Sequence, residues 1–275
     1  MPPRSYDFLT RLLDAPGPSG FEAAPARLWR GEAAAFADDV RSDVHGNCYA
    51  TLNGAGTPRV MFAGHLDEIG LMVVHVDEEG FLSFAGIGGW DPQVFVGQRV
   101  TMLGHAGPVH GVIGKKAIHL MEKDDREKVS KIEDLWVDIG ARNRKEALAR
   151  VRVGDPGVLT SNVLRLPNGR LTSRSLDNRI GAYVVLEALR LLAGKRLAAS
   201  VTAVGTTQEE IGYTGGGART SAAEMDAQVA IVVDVREKSF LAEFPKTYRK
   251  LRIMKGLNPA LIFLEATHAI LVRRF

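Results

Sequence analysis

Residues 177–235 read DNRIGAYVVLEALRLLAGKRLAASVTAVGTTQEEIGYTGGGARTSAAEMDAQVAIVVDV, and the order of patterns in this stretch decides the fold. An apolar run at helical spacing opens it. SVTAVGTT (200–207) follows, with the length and apolar character of a buried strand. A glycine-rich start near Gly215 begins a second helix, and QVAIVVDV (228–235) is a second strand. Strand and helix in alternation predict an α/β sheet. Upstream, residues 5–36 read as two helices separated by APGPSG, with Ser5 as a cap for the first. Ser19 and Glu22 stand at capping-box spacing before the second. Residues 40–52 form a hairpin through Gly46-Asn47, and RVMFAG (59–64) is a short buried strand with His65 just past its end.

Between residues 71 and 165 the character changes. Short β-rich runs (LMVVHV, FLSFAGI, QRVTML, GVIGKK, LWVDIG) alternate with Gly, Asp and Pro at the spacing of a small barrel or sandwich. The expected organisation is an α/β domain built from residues 1–69 and 166–275, interrupted by a β-rich insertion over 70–165.

Composition bounds the function. The 275 residues are 45% hydrophobic and 24% charged, ordinary for a globular protein, and the chain is long enough for one or two domains. No apolar stretch reaches the roughly 18–20 residues of a membrane span. The N-terminal segment has no apolar core and no small-residue cleavage site, so it reads as a helix and not a leader. A single cysteine, Cys48, excludes an intrachain disulfide and a thiolate metal cluster. These features predict a cytoplasmic protein with no membrane partner. The basic pI is local: residues 236–275 carry a net charge of +6, and the remainder carries −3. The body shows no basic patch interleaved with aromatics, so nucleic acid is not an expected partner.

Chemistry is concentrated in four short motifs. His65 and Asp67 lie in AGHLDEIG, Asp177 in SLDNRIGA, Glu209 and Glu210 in GTTQEEIG, and Asp234 in VAIVVDV. Each charge sits where an apolar run meets solvent. Taken singly, each has an ordinary explanation: a strand-end histidine, a helix cap at Asp177, a solvated strand end, a turn residue. Together they carry another meaning. Carboxylates that converge cannot all stay ionised without a cation, because like charges at close range disfavour one another. Two divalent metal ions would resolve that conflict. Residues 65 and 67 fall on one side of an extended segment, and a metal-bound imidazole commonly gives its other N–H to a carboxylate such as Asp67.

In this order, H-x-D, LDNR, QEE and VVD resemble the dinuclear metalloaminopeptidase family of glutamyl and deblocking aminopeptidases, some of whose members are labelled endoglucanases or cellulases. LLDAPGPSGFE, DVHGN and GVIGKKAIHL add to the resemblance, which covers residues 5–235. It implies a mixed-sheet, phosphorylase/hydrolase-like metallopeptidase domain interrupted by a β-barrel-like dimerisation domain. It also implies hydrolysis of N-terminal residues from short peptides, two divalent metals (zinc or cobalt) and a homo-oligomer. By the same resemblance His65 and Asp234 ligate one metal, Glu210 the other, and Asp177 bridges them. Glu209 is the general base, and Asp67 orients His65.

After Val235 the sequence departs from this pattern. Forty residues remain, and the resemblance implies a further histidine ligand for which His268 is the local substitute. NPALIFLEATHAILV (258–272) itself reads as a capped apolar helix. Residues 236–275 are accordingly expected to be a truncated or frame-shifted replacement, which resequencing of the coding DNA would test. Two rival functions follow: a catalytically impaired member that retains only fold and assembly, and a glycoside hydrolase using a carboxylate pair.

Overall fold

The computed structural model describes residues 3–167, 169–212 and 216–235, and the backbone of 260–265. The chain divides into two compact units, residues 1–68 with 163–275, and residues 69–162.

The first unit begins with α1 (Pro3–Asp14) and α2 (Ala23–Ala33), followed by β1 (Asp39–Ser42), β2 (Cys48–Leu52) and β3 (Arg59–His65). The inserted unit carries β4 (Gly70–Val76), β5 (Leu82–Ile87), β6 (Arg99–Gly104), β7 (Gly107–Lys115), β8 (Leu135–Asp138), α3 (Arg144–Leu148) and β9 (Pro156–Leu159). The chain then returns through β10 (Leu164–Leu166), β11 (Arg170–Thr172), α4 (Leu176–Leu192), β12 (Ser200–Thr206), α5 (Gly216–Met225), β13 (Val229–Asp234) and β14 (Ala260–Glu265).

One six-stranded mixed sheet organises the first unit, in the order β1-β2-β12-β3-β13-β14. From β12 to β14 the strands run parallel, while β1 and β2 are antiparallel additions at one edge. Strand alternation sorts the side chains. Cys48, Ala50, Leu52, Val201 and Ala203 pack with Phe8 and Leu12 of α1, Trp29 of α2 and Leu186 of α4. Tyr49, Met61, Ala63, Val204 and Ala230 form a separate core with Ala222 of α5. The insertion closes into an antiparallel barrel, β4-β5-β8-β7-β6-β9, around Leu71, Phe84, Phe95, Met102, Ile113 and Val137. Among the described residues no helix is long and apolar enough to cross a membrane.

The seam between β3 and α4 is unusually close. A Cβ on Gly64 would lie 2.5 Å from the backbone of Gly181 and Ala182, so only glycine lets the helix rest on the strand. Gly64→Ala is expected to lower stability by about 1–3 kcal/mol, the cost of forcing backbone apart in a packed core. Thermal unfolding measures it; an unchanged Tm would show that α4 can shift freely.

Three local readings of the sequence are corrected. Ser5 is not a cap: α1 starts at Pro3, and the Ser5 hydroxyl inside the helix donates to Glu187 Oε2 at 3.0 Å. Ser19 and Glu22 do not form a capping box, because Glu22 Oε1 is occupied by the amides of Gly20 (2.7 Å) and Gln208 (3.0 Å). Residues 260–265, read as part of a helix, form a strand parallel to β13. A short apolar run fits either conformation by periodicity, and the open edge of the sheet decides. His268 and the rest of 236–259 and 266–275 lie outside the described residues.

Candidate metal centre

Four elements bring side chains to the carboxyl edge of the parallel strands, where open α/β sheets place their sites. His65 ends β3, and Thr206 at the end of β12 is its register partner. Glu209 and Glu210 therefore follow on one flank of His65. On the other flank β13, also parallel to β3, ends at Asp234. Asp177 arrives from α4, which packs across β3, β12 and β13.

Asp177 does not cap α4. It and Asn178 have non-helical backbone (φ/ψ −84/113° and −121/38°) and are joined by a cis peptide. Asn178 takes the capping role instead, accepting from Gly181 N–H at 3.0 Å and donating to Val233 O at 2.7 Å. The Asp177 carboxylate is thereby left free to face the strand ends. Arg179, fully buried, secures the junction by donating to Leu66 O and Leu12 O, both at 2.9 Å, to Ala15 O, and to Glu68 Oε1 at 2.9 Å. Glu68 also pairs with Arg174 (2.9 Å) and accepts from Gly17 N–H (3.1 Å). Buried ions are tolerated when paired and hydrogen-bonded in this way. Sequence reading missed Glu68, Arg179 and Asn178, because nothing in the strings HLDEIG or LDNR distinguishes them from surface charges and polar caps.

The six candidate residues converge. His65 Nε2 lies 3.3 Å from Asp177 Oδ1, 3.7 Å from Glu209 Oε2 and 3.8 Å from Asp234 Oδ1. Ligand atoms of His65, Asp177 and Glu210 lie within 4.8 Å of one another. On the far side of the ring, Nδ1 faces both the carbonyl of Asp67 (3.1 Å) and its Oδ1 (3.3 Å), so backbone and carboxylate share the orientation of the imidazole. Asp67 Oδ2 accepts from Glu210 N–H at 3.0 Å, which ties the glutamate pair to the same carboxylate.

Protonation reflects the crowding. Burial of His65 opposes its charge, but the carboxylates of Asp177 and Asp67 outweigh burial and hold its pKa well above the ordinary imidazole value. Burial raises Glu210 to about 7, with Asp177 and Asp67 adding to the shift and His65 opposing it. Burial likewise raises Glu209 and Asp234. Asp67 moves the other way: burial would raise it, but the contact with His65 prevails and lowers it. One imidazolium thus faces several carboxylates that resist ionising together. An imidazole nitrogen and clustered carboxylate oxygens are a donor set suited to divalent cations, so the residues present fit a metal centre.

A pH dependence follows. Raised folded-state pKa values for His65 and Glu210 stabilise the metal-free fold on the acidic side, and that contribution is lost as pH rises. For Glu210 the window runs from its ordinary value of 4.5 to about 7. A divalent ion must displace these same protons. Between about pH 8 and about pH 6, zinc affinity is expected to fall at least about tenfold, since each displaced proton contributes tenfold per unit below its pKa. Calorimetric titration of chelator-treated protein at both pH values measures this, and equal affinities would exclude these groups as ligands.

Residues 46–266 match the family model of M42 glutamyl aminopeptidase. The match runs past Val235, the point at which the sequence leaves the four-motif pattern. The chain is 35% identical over 234 residues to the lysyl aminopeptidase of Pyrococcus furiosus, an alignment covering 84% of this chain and 66% of that protein. A TET aminopeptidase from a marine sediment archaeon of the Thaumarchaeota has a solved structure that aligns with a TM-score of 0.80 at 38% identity, over 84% of this chain and 65% of that one. A third relative is the Pyrococcus horikoshii TET1 peptidase, which can assemble into a tetrahedron or a large octahedral shell. It aligns with a TM-score of 0.76 at 33% identity, over 84% of this chain and 68% of that one. The chain spans about two thirds of the length of these relatives.

Proposed function

Because the chain belongs to the M42 glutamyl aminopeptidase family, we propose that it is a metal-dependent aminopeptidase that removes N-terminal residues from short peptides. The observation that carries this reading is the meeting of His65, Asp177, Glu209 and Asp234 within 3.8 Å of one imidazole nitrogen, with Glu210 beside them. His65, Asp177, Glu210 and Asp234 would hold two divalent ions, zinc or cobalt, with Asp177 shared between them. When bound, such ions acidify a water toward neutral pH and offset the charge that grows on the scissile carbonyl oxygen.

Glu209 takes the proton of the attacking water on a carboxylate oxygen and returns it to the leaving amine. Its pKa, raised by burial, brings proton donation closer to neutral pH than an ordinary carboxylate allows. Asp67 holds the His65 ring so that Nε2 faces the carboxylates. Residues 69–162 are read as the assembly module of a homo-oligomer. Exposed Ile118 (65%), Leu120 (61%) and Val129 (60%) on that unit support this role. The cytoplasm is the compartment the single buried cysteine suits best.

The test is hydrolysis of a panel of aminoacyl-anilides by the purified chain, with added zinc or cobalt. Turnover abolished by a chelator is the expected result. Folded protein without turnover on any member of the panel would reject the aminopeptidase reading and favour a fold retained for assembly alone.

A further inference from the structure

The motif PGPSGFE is not absorbed by the metal centre, yet its last residue reaches the segment that carries both glutamates. Glu22 is buried (7% exposed), and its Oε1 accepts from Gly20 N–H at 2.7 Å and from Gln208 N–H at 3.0 Å. Gln208 has φ +59°, in the left-handed region that favours glycine. A non-glycine residue stays there when its surroundings over-determine it. Two further side chains act on the same segment. Buried Asn47 accepts from Thr207 N–H (3.0 Å) and from the Thr207 hydroxyl (3.1 Å) through Oδ1, and Asp67 accepts from Glu210 N–H (3.0 Å). Three buried side chains from three separate parts of the chain thus hold the amides of residues 207, 208 and 210.

We propose that Glu22 is a positioning residue: with Asn47 and Asp67 it fixes the left-handed bend at Gln208 that aims Glu209 and Glu210 toward His65. Thr206 continues the straight path of β12, so without the bend the chain would leave the sheet along the strand direction. Glu22 touches neither substrate nor reacting atoms in this role. What it supplies is an acceptor at a fixed place, so an amide side chain of the same length can replace it. The inference rests on the metallopeptidase reading of Glu209 and Glu210, and its test includes a readout that does not need turnover.

The wild-type chain, Glu22→Ala and Glu22→Gln are compared by calorimetric zinc titration and by kcat and KM on an aminoacyl-anilide. Glu22→Ala is expected to lose about 10–100-fold in zinc affinity and in kcat, with KM nearly unchanged, the range found when a residue supporting a metal ligand is removed. Glu22→Gln is expected to restore both. Wild-type zinc affinity and kcat in Glu22→Ala, with only a lower Tm, would overturn the proposal. A Glu22→Gln variant as impaired as Glu22→Ala would also overturn it, by showing that charge and not the acceptor matters. Should Glu22→Ala fail to fold, Glu22→Asp takes its place, since it keeps the charge but withdraws the acceptor by one methylene. The same loss of zinc affinity then supports the proposal, and unchanged affinity rejects it. Wild-type protein that binds zinc but hydrolyses nothing would count against the aminopeptidase reading, while the zinc comparison still decides the role of Glu22.

Discussion

Glu209→Gln is expected to lower kcat by about 10²–10⁴-fold, the usual contribution of a positioned general base, while zinc stoichiometry stays at its wild-type value. The expectation rests on where Glu209 sits. Its carboxylate lies 3.7 Å from His65 Nε2, at the rim of the cluster. Its side chain keeps 45% of its exposure, so water can reach it. Glutamine fills the same volume and keeps an acceptor oxygen but cannot take a proton at neutral pH. Burial already raises the wild-type carboxyl, so the ascending limb of the wild-type pH–rate profile is expected above the ordinary glutamate range. Kinetics on an aminoacyl-anilide together with metal analysis of the same sample measure both halves of the prediction. A variant that turns over at the wild-type rate would remove Glu209 from the mechanism. One that loses metal would make it a ligand instead.

The second large effect is expected at Asp177. Asp177→Ala should abolish detectable turnover and reduce bound metal to less than half of the wild-type content, because on the proposed reading this carboxylate would be shared between two ions and support both. His65 Nε2 lies nearer to Asp177 (3.3 Å) than to the carboxylates of Glu209 or Asp234. The fold should tolerate the change. The cap of α4 is made by Asn178 and its anchor by Arg179, so removing the Asp177 carboxylate takes away no hydrogen bond on which the helix depends. In the metal-free state the loss relieves repulsion, since Asp177 contributes to the raised pKa values of Glu209, Glu210 and Asp234, but it also removes a carboxylate partner of the buried His65 imidazolium. The two effects oppose each other, so chelator-treated Asp177→Ala protein is expected to melt close to chelator-treated wild type, and metal should raise the Tm of wild type far more than that of the variant. An equal rise in Tm on adding metal to both proteins would remove Asp177 from the metal centre.

Much of this architecture is legible in the chain before folding. Strand and helix periods over 177–235 predict the α/β sheet, and β12, α5 and β13 form there in that order. Where the reading fails, the failures share a cause. Local preference makes Ser5 a cap, Glu22 part of a capping box and 260–265 helical, but each engages a partner distant in sequence: Glu187, Gln208 and β13. Asp177 shows the same limit. A carboxylate before an apolar helix predicts a cap, but Asn178 caps the helix because its side chain also reaches Val233 on β13.

Over 177–235 the chain alone specifies the order of elements and the residue types at their ends, because hydrophobic period and strand-end charge are properties of sequence neighbours. Tertiary structure alone decided that those ends meet. The order β12-β3-β13 places His65 between the glutamate pair and Asp234. Gly64 lets α4 approach closely enough to bring Asp177 to the same point. Burial there, in a medium that penalises separate charges, turns acidic strand ends that would be unremarkable in water into a cluster that favours a cation.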